Sequence, residues 1–190
     1  LNTVETHAPY RIGARAKALH ATLNMADLHA DTLLWGRDVL ARGTRGHVDV
    51  PRLAEGRFAL QVFSTVTETP RGQNYDKNTG DTDMITVLAQ VSLWPTRTWD
   101  SLLERALYQS ERLNVAAKRD PKALLVVRTR GDLANLMARR AKGDAIVGGL
   151  LATEGAPPLE GKLDNLKTLY DAGFRMIGLH HFFDNALGGP

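Results

Sequence analysis

The chain has 190 residues, of which 43% are hydrophobic and 24% charged, which is typical of an ordinary folded domain. Its net charge of +3 is small, and its basic residues are scattered without interleaved aromatic residues, so the sequence argues against a nucleic-acid partner. Because the chain contains no cysteine, any metal must be held by His, Asp or Glu. No stretch approaches the ~20 consecutive apolar residues of a membrane helix. The cytoplasm and the cell envelope or periplasm both remain open as compartments.

The first pattern of interest pairs a histidine with an aspartate. Residues 1–10 are polar, and the apolar spacing over residues 11–23 predicts a short leading helix. Residues 24–34 then predict a buried strand that carries His29 and Asp31 on the same face. An imidazole and a carboxylate at the carboxyl end of a strand form half of a site for a borderline cation such as zinc. The structural alternative is a core histidine followed by a capping aspartate.

A second His-x-Asp pair, His47 and Asp49, lies between Gly46 and Pro51. Glycine and proline so close together predict a loop or an edge segment, in contrast to the apolar run around the first pair. We therefore give the second pair no role in metal binding.

The rest of the chain alternates between strand and helix patterns. Strands are predicted at residues 57–66, 123–128, 145–153 and 174–182, and helices at residues 82–119 with a break at Pro95, 131–142 and 159–172. Residues 67–83 form a long polar excursion of the kind that shapes the rim of a pocket. Regular alternation predicts parallel strands joined by right-handed crossovers, and in such folds the chemistry gathers at the carboxyl ends of the strands.

Polar residues follow two further strands at this predicted end. Glu154 comes directly after the fourth strand, where it must be solvated, paired, metal-bound or a cap for the following turn, because an isolated buried carboxylate is costly. His180 and His181 end the fifth strand, and alternation sends one inward and one outward without deciding which. A carboxylate able to bridge two cations, together with a His-x-Asp pair, suggests a binuclear hydrolytic site whose bridging water is acidified to hydroxide.

Three sets of residues carry a family resemblance. They are residues 27–31 (Asp-Leu-His-Ala-Asp), residues 153–155 (Thr-Glu-Gly) with 159–161 (Leu-Glu-Gly) and 169–173 (Leu-Tyr-Asp-Ala-Gly), and residues 179–185 (Leu-His-His-Phe-Phe-Asp-Asn). In these sets the chain, from about residue 24 to its end, resembles the membrane dipeptidase (renal dipeptidase) family of zinc metallopeptidases, in the amidohydrolase superfamily. The resemblance implies an α/β fold, a parallel (β/α)8 TIM-like barrel, of which this chain supplies about the first five β/α units.

The same resemblance implies roles for individual residues. His29 and Asp31 would bind one zinc ion, and Glu154 would bridge two Zn2+ ions and so take part in catalysis. His181 resembles the family's catalytic histidine that contacts the substrate or its tetrahedral intermediate, although His180 stands where the family motif Leu-Thr-His has threonine. The implied reaction is hydrolysis of the peptide bond of a dipeptide by a metal-bridging hydroxide, with the metals stabilising the oxyanion.

The resemblance also sets an expectation for the rest of the protein. Residues 1–190 are expected to be the N-terminal part of a single metal-dependent hydrolase barrel domain, with residues 1–23 as a leading segment and helix. The chain begins with Leu1, which we interpret as the start of a processed or excised piece. In the family, two further metal-binding histidines and an acid that protonates the leaving amine come from the second half. We therefore expect the C-terminal half of the same protein as a partner, with the fragment inactive alone, and a homodimer stays open.

Two other functions remain open at this stage. One is a different amidohydrolase-type activity, on a cyclic amide or as a deaminase, because this half carries the metal-side residues and little of the substrate specificity. The other is a non-catalytic metal-binding or interaction module. The presence together of His29, Asp31 and Glu154 argues against the second alternative, since a decayed site would be free to lose them.

Overall fold

The computed structural model describes residue 3 and residues 5–189, and helices alternate with strands along most of this length. The helices α1–α6 cover Ala14–Thr22, Val50–Glu55, Met84–Val91, Leu102–Arg119, Arg130–Ala141 and Asp164–Ala172. The strands β1–β5 cover Met25–Ala30, Phe58–Thr65, Leu124–Val126, Val147–Thr153 and Phe174–Ile177. Short 3₁₀ helices lie at Thr32–Leu34, Thr96–Thr98 and Pro157–Leu159. Among these described helices, none is long and apolar enough to cross a membrane.

The five strands form one sheet, and all of its strand pairs are parallel, as predicted. Strand β2 lies between β1 and β4. The other edge of β4 pairs with β3 along its first half and with β5 along its second half. Because parallel strands end at the same edge of a sheet, the residues that follow β1, β2, β4 and β5 lie close together. This edge is the one to which the sequence assigned the candidate site.

The main core lies between the sheet and helices α2, α4 and α6. Phe63 of β2, Leu113 of α4 and Leu151 of β4 are each at most 1% exposed. A Cβ atom at Gly149 would stand 3.2 Å from the Phe63 ring and 3.3 Å from a Leu113 methyl group, so glycine allows this close packing on β4. Strand β4 is buried along almost its whole length, as its continuous apolar run predicted.

The fifth strand is shorter than predicted. It ends at Ile177, so His180 and His181 lie in the loop that follows and strand alternation does not apply to them. The reason is that its pairing partner β4 ends at Thr153, and Gly178 N donates to Thr153 O where the pairing stops.

The helix predicted over residues 159–172 begins later than expected. Pro157–Leu159 form a 3₁₀ helix, and Glu160 then takes a positive φ of 50°, which takes the chain off a helical path before α6 starts at Asp164. The break predicted at Pro95 is confirmed, since α3 ends at Val91 and α4 begins at Leu102.

The leading helix forms within its predicted range, but the strand predicted over residues 24–34 ends at Ala30, so Asp31 follows the strand and Thr32–Leu34 form a 3₁₀ helix. Both α1 and β1 are also exposed. No residue of α1 is buried, so its apolar residues do not face the core. Strand β1 was predicted to be buried, yet Leu28 is 65% exposed. The prediction of burial is wrong because β1 lies at the edge of the described sheet and pairs only with β2 there.

Candidate metal centre

Three residues from two distant segments of the sequence meet where β1 and β4 end. His29 is the penultimate residue of β1, Asp31 follows that strand directly, and Glu154 directly follows β4. His29 Nε2 lies 3.1 Å from Asp31 Oδ1 and 3.3 Å from Glu154 Oε1. One ligand atom from each of the three residues lies within 4.8 Å of the other two. The structure thus brings together the three residues that the sequence suggested as metal ligands.

Glu154 is held in place from both sides of its backbone. Its N–H donates to Thr65 O of β2 at 3.2 Å. Gly155 turns the chain with a φ of +82°, which favours glycine, and a Cβ atom at Gly178 would stand only 2.9 Å from Gly155 N. The Glu154 side chain is 12% exposed. Its contacts are with imidazoles, in contrast to the turn-capping role that remained open from the sequence.

Asp31 carries an oxygen without a hydrogen-bond partner. The residue occupies the N-cap position of Thr32–Leu34, but its side chain makes no capping hydrogen bond. In the described part of the chain, its buried Oδ1 accepts no hydrogen bond, although His29 Nε2 is 3.1 Å away. A buried carboxylate oxygen left in this way is costly, and a cation between the two side chains would satisfy it. Asp27 Oδ1 accepts a hydrogen bond from His29 N at 3.0 Å, which holds the backbone of His29 in place.

Of the two consecutive histidines, His181 contacts the acidic cluster. Its Nε2 lies 2.8 Å from Glu154 Oε1, and its ring packs against the Phe182 ring with centroids 4.0 Å apart. His180 is exposed, and its ring lies beside Gly188. The chain geometry therefore selects His181 where strand alternation left both histidines open.

The electrostatics of the cluster favour a cation. Burial raises the pKa of Glu154 above its ordinary value, and the neighbouring Asp31 carboxylate raises it further. His181 and His29 act in the opposite direction. The imidazoles thus offset only part of the negative charge of the two partly buried carboxylates, and a bound metal ion would offset more of this charge.

A cleft of about 460 Å³ opens beside the cluster. Its lining includes Asp31, Glu154 and His181 together with residues of the loop after β2 and of α3. Glu68 lines this cleft and also a neighbouring cavity of about 480 Å³. The cleft is large enough for a small ligand to reach the cluster.

The second His-x-Asp pair has a structural role, as expected. Asp49 is buried and caps α2, where it accepts from Arg52 N at 2.9 Å and from Gly43 N at 3.1 Å. His47 lies in the preceding loop. The pair does not take part in the candidate metal centre.

The sequence analysis missed a buried polar group next to the cleft. Arg105 of α4 is 1% exposed and bonds to Asp83, which caps α3. The helical spacing could have indicated its burial, because Arg105 lies on the same face of α4 as Gln109 and Leu113, at intervals of four residues. Glu68, three residues after β2, was also missed, although it lies in the predicted rim segment.

Comparisons with known proteins agree with this picture. A model of the membrane dipeptidase family (peptidase family M19) matches residues 13–189. No curated protein matches the chain. Among solved structures, the dipeptidase AC, a metallopeptidase of family M19, matches with 22% identity and a TM-score of 0.63, over 86% of this chain and 46% of that one.

Two further solved structures are similar. A metallopeptidase from Rhodobacter sphaeroides, liganded with a phosphinate mimic of the dipeptide L-Ala-D-Ala, matches with 23% identity and a TM-score of 0.60, over 84% of this chain and 46% of that one. The probable dipeptidase PvdM from Pseudomonas aeruginosa matches with 16% identity and a TM-score of 0.60, over 90% of this chain and 38% of that one.

The chain thus spans less than half the length of these three solved structures. Their likeness supports the predicted fold, an α/β parallel sheet that forms part of a TIM-like barrel. Because the family model covers nearly all of its residues, the chain belongs to the membrane dipeptidase family, peptidase family M19.

Proposed function

We propose that the protein is a zinc-dependent dipeptidase that hydrolyses the peptide bond of dipeptides. The observation that carries the proposal is the meeting of His29, Asp31 and Glu154 within 4.8 Å beside an open cleft. Membership in the membrane dipeptidase family supports the same reaction, and one similar structure holds a mimic of a dipeptide.

The residues of the cluster fit zinc by their chemistry. One imidazole nitrogen and carboxylate oxygens are ligands that zinc accepts, and the unpartnered Asp31 Oδ1 offers a free lone pair. In the proposed site, His29 and Asp31 would hold one ion, and Glu154 would be the ligand that it shares with a second. When bound, the metals supply an acidified water at neutral pH and polarise the substrate carbonyl.

The protein's own side chains orient the substrate in this site. Glu154 directly follows buried β4, which positions its carboxylate at the cleft. His181 Nε2 lies 2.8 Å from that carboxylate at the cleft wall. Nε2 faces Glu154 here, and in the proposed reaction it would donate instead to a substrate oxygen, because such a donor stabilises negative charge that develops during hydrolysis.

The proposal places the remaining chemistry in the C-terminal half of the barrel. The chain spans 46% of the length of two similar metallopeptidases. Further ligands for the second zinc ion and the acid that protonates the leaving amine would come from that half. The exposed edge strand β1 offers unpaired backbone groups to which a further strand of the barrel can bond.

The test measures zinc content and hydrolysis of dipeptides and cyclic amides on the complete barrel, before and after chelation. We expect two zinc ions, hydrolysis of dipeptides alone, and loss of turnover on chelation. Glu154→Gln should lower kcat by about 100-fold or more, because it removes the bridging charge. Glu111→Gln is the matched control, since Glu111 lies on the outside of α4 and pairs with Arg97.

Each other outcome contradicts a defined part of the proposal. A Glu154→Gln protein that keeps two zinc ions and full turnover would exclude the bridging role. Turnover of cyclic amides alone would instead favour another amidohydrolase-type activity. Stoichiometric zinc without turnover of either substrate would favour a non-catalytic metal-binding module.

A further inference from the structure

We propose that Glu68 is a specificity-determining residue that binds the cationic side chain of a dipeptide containing lysine or arginine. The inference rests on the proposed function, because it concerns a substrate in the cleft beside the metal centre. It goes further by naming the substrate class and by giving a role to a residue outside the metal cluster.

The position of Glu68 places it within reach of a small substrate. The residue comes three positions after the end of β2, at the same edge of the sheet as the metal cluster. It lines the cleft of about 460 Å³ that Asp31, Glu154 and His181 also line. A substrate whose peptide bond lies at the cluster therefore extends along a cleft that contains a further acid.

Glu68 has no partner of its own within residues 5–189 of the described structure: no hydrogen bond or ion pair there involves its carboxylate. The nearby guanidinium of Arg105 is fully used. Its Nε donates to Thr98 O, and its two terminal nitrogens donate to the following four acceptors: Thr67 O, Asp83 Oδ2, Thr86 Oγ1 and Trp99 O. Since a guanidinium has five N–H groups, none remains for Glu68.

The surroundings of Glu68 make its negative charge costly. Burial raises the pKa of this carboxyl group, and the neighbouring Asp83 carboxylate raises it further, while Arg105 acts in the opposite direction. A cationic ligand would offset this cost, because it supplies both a counter-charge and hydrogen-bond donors. A neutral ligand would supply no counter-charge.

The remaining walls of the cleft are mostly apolar. They include Leu34, Trp35, Val66, Ile85, Leu88 and Phe182. Lysine and arginine side chains carry their charge on an apolar stem, so the stem can pack against these walls while the charged end reaches the carboxylate. An apolar cleft with one acid outside the metal cluster is thus suited to a cationic side chain.

The loop between β2 and α3 comes close to the carboxylate. A Cβ atom at Gly80 would stand 3.2 Å from Glu68 Oε1, so the loop packs closely against the acid. A Gly80→Ala substitution would press on the carboxylate without removing it. The chain thereby offers a second variant that tests the position of the charge separately from its presence.

The experiment compares lysyl-alanine with norleucyl-alanine, which has a similar stem without the charge, on the complete barrel with zinc. We expect Glu68→Gln to lower kcat/KM for lysyl-alanine by about tenfold, the usual value of one charged hydrogen bond, and to leave norleucyl-alanine unchanged. Gly80→Ala should shift the same ratio in the same direction by less. Glu111→Gln, in which an exposed acid of α4 is changed, should shift neither substrate.

A binding measurement separates this inference from the proposed function. Calorimetry on metal-depleted protein compares the affinities of the two dipeptides, with and without Glu68→Gln. If no dipeptide is hydrolysed, but lysyl-alanine binds more tightly than norleucyl-alanine and the variant abolishes the difference, the proposed function fails and the role of Glu68 stands. If Glu68→Gln affects both dipeptides equally, or if neither assay shows a preference for lysyl-alanine, the role of Glu68 is refuted.

Discussion

Replacing Arg105 with methionine tests the buried polar group that supports the rim of the cleft. Arg105 is 1% exposed, and its guanidinium donates five hydrogen bonds of 2.5 to 2.7 Å. Methionine fills much of the same volume but offers no donor. Arg105→Met therefore removes the counter-charge of Asp83 and leaves three backbone carbonyl groups without this partner.

The magnitude follows from what remains after the substitution. Breaking a buried ion pair by removing one partner costs ~3–5 kcal/mol. The upper part of that range is reduced here, because the Asp83 side chain is 18% exposed and also bonds to backbone N–H groups of α3. We expect a loss of ~3–4 kcal/mol of unfolding free energy, which is a large part of the ~5–15 kcal/mol typical of a folded domain.

The assay is urea unfolding followed by circular dichroism, with thermal unfolding as a second measure. At ~2–4 °C per kcal/mol for a chain of this size, the melting temperature should fall by roughly 6–16 °C. Arg97→Met is the matched control, since Arg97 is 40% exposed and its pairs with Glu104 and Glu111 should contribute ~1 kcal/mol or less. A loss from Arg105→Met no larger than that from Arg97→Met would refute the assigned role of the buried group.

Three further predictions concern the site and its surroundings. Gly178→Ala places a Cβ atom 2.9 Å from Gly155 N, so it should lower the free energy of unfolding in urea by ~1–3 kcal/mol and weaken zinc binding in a metal titration. An unchanged affinity for zinc would contradict the tight packing behind Glu154. Glu68→Gln should raise the melting temperature at pH 7, because burial raises the pKa of Glu68 and the charged carboxylate therefore disfavours folding above pH 4.5. A lower melting temperature would indicate a structural role for Glu68 instead. Burial alone raises the pKa of Asp83, but hydrogen bonds from Thr86 and Arg105 outweigh burial and lower this pKa. The stability that Asp83 contributes is therefore present above pH 3.8 and lost as the pH falls through the lowered folded pKa. In a series of melting temperatures against pH, Asp83→Asn should flatten this acid-side decrease.

Strand positions were predictable where a run of residues is buried on both faces or rich in β-branched and aromatic residues. The continuous apolar run that became β4 and the aromatic-rich run that became β2 illustrate this, because their side-chain composition alone favours a buried parallel strand. Helix and strand ends were less predictable, since they depend on partners. Strand β5 stops at Ile177 because its neighbour stops at Thr153, and no local pattern contains that information.

The candidate metal residues were predictable because they combine a chemical type with a position at a strand end. His29, Asp31 and Glu154 satisfy both conditions, and the structure places them together. The choice between His180 and His181 was different, because it depends on how a loop folds over the sheet. Arg105 and Glu68 were missed for a related reason. From sequence alone a charged residue is predicted to be exposed, because the residues that bury it belong to distant segments of the chain.

The three candidate metal ligands differ in how deeply they are buried, and this difference bears on their proposed roles. Glu154 is 12% exposed and extends from a strand that is packed on both faces, whereas His29 is 50% exposed on an edge strand and Asp31 is 39% exposed at its end. A bridging ligand must keep its two oxygens fixed relative to two cations, so the residue with the most rigid support suits that role best. The packing of β4 thus supports the proposed bridging role of Glu154.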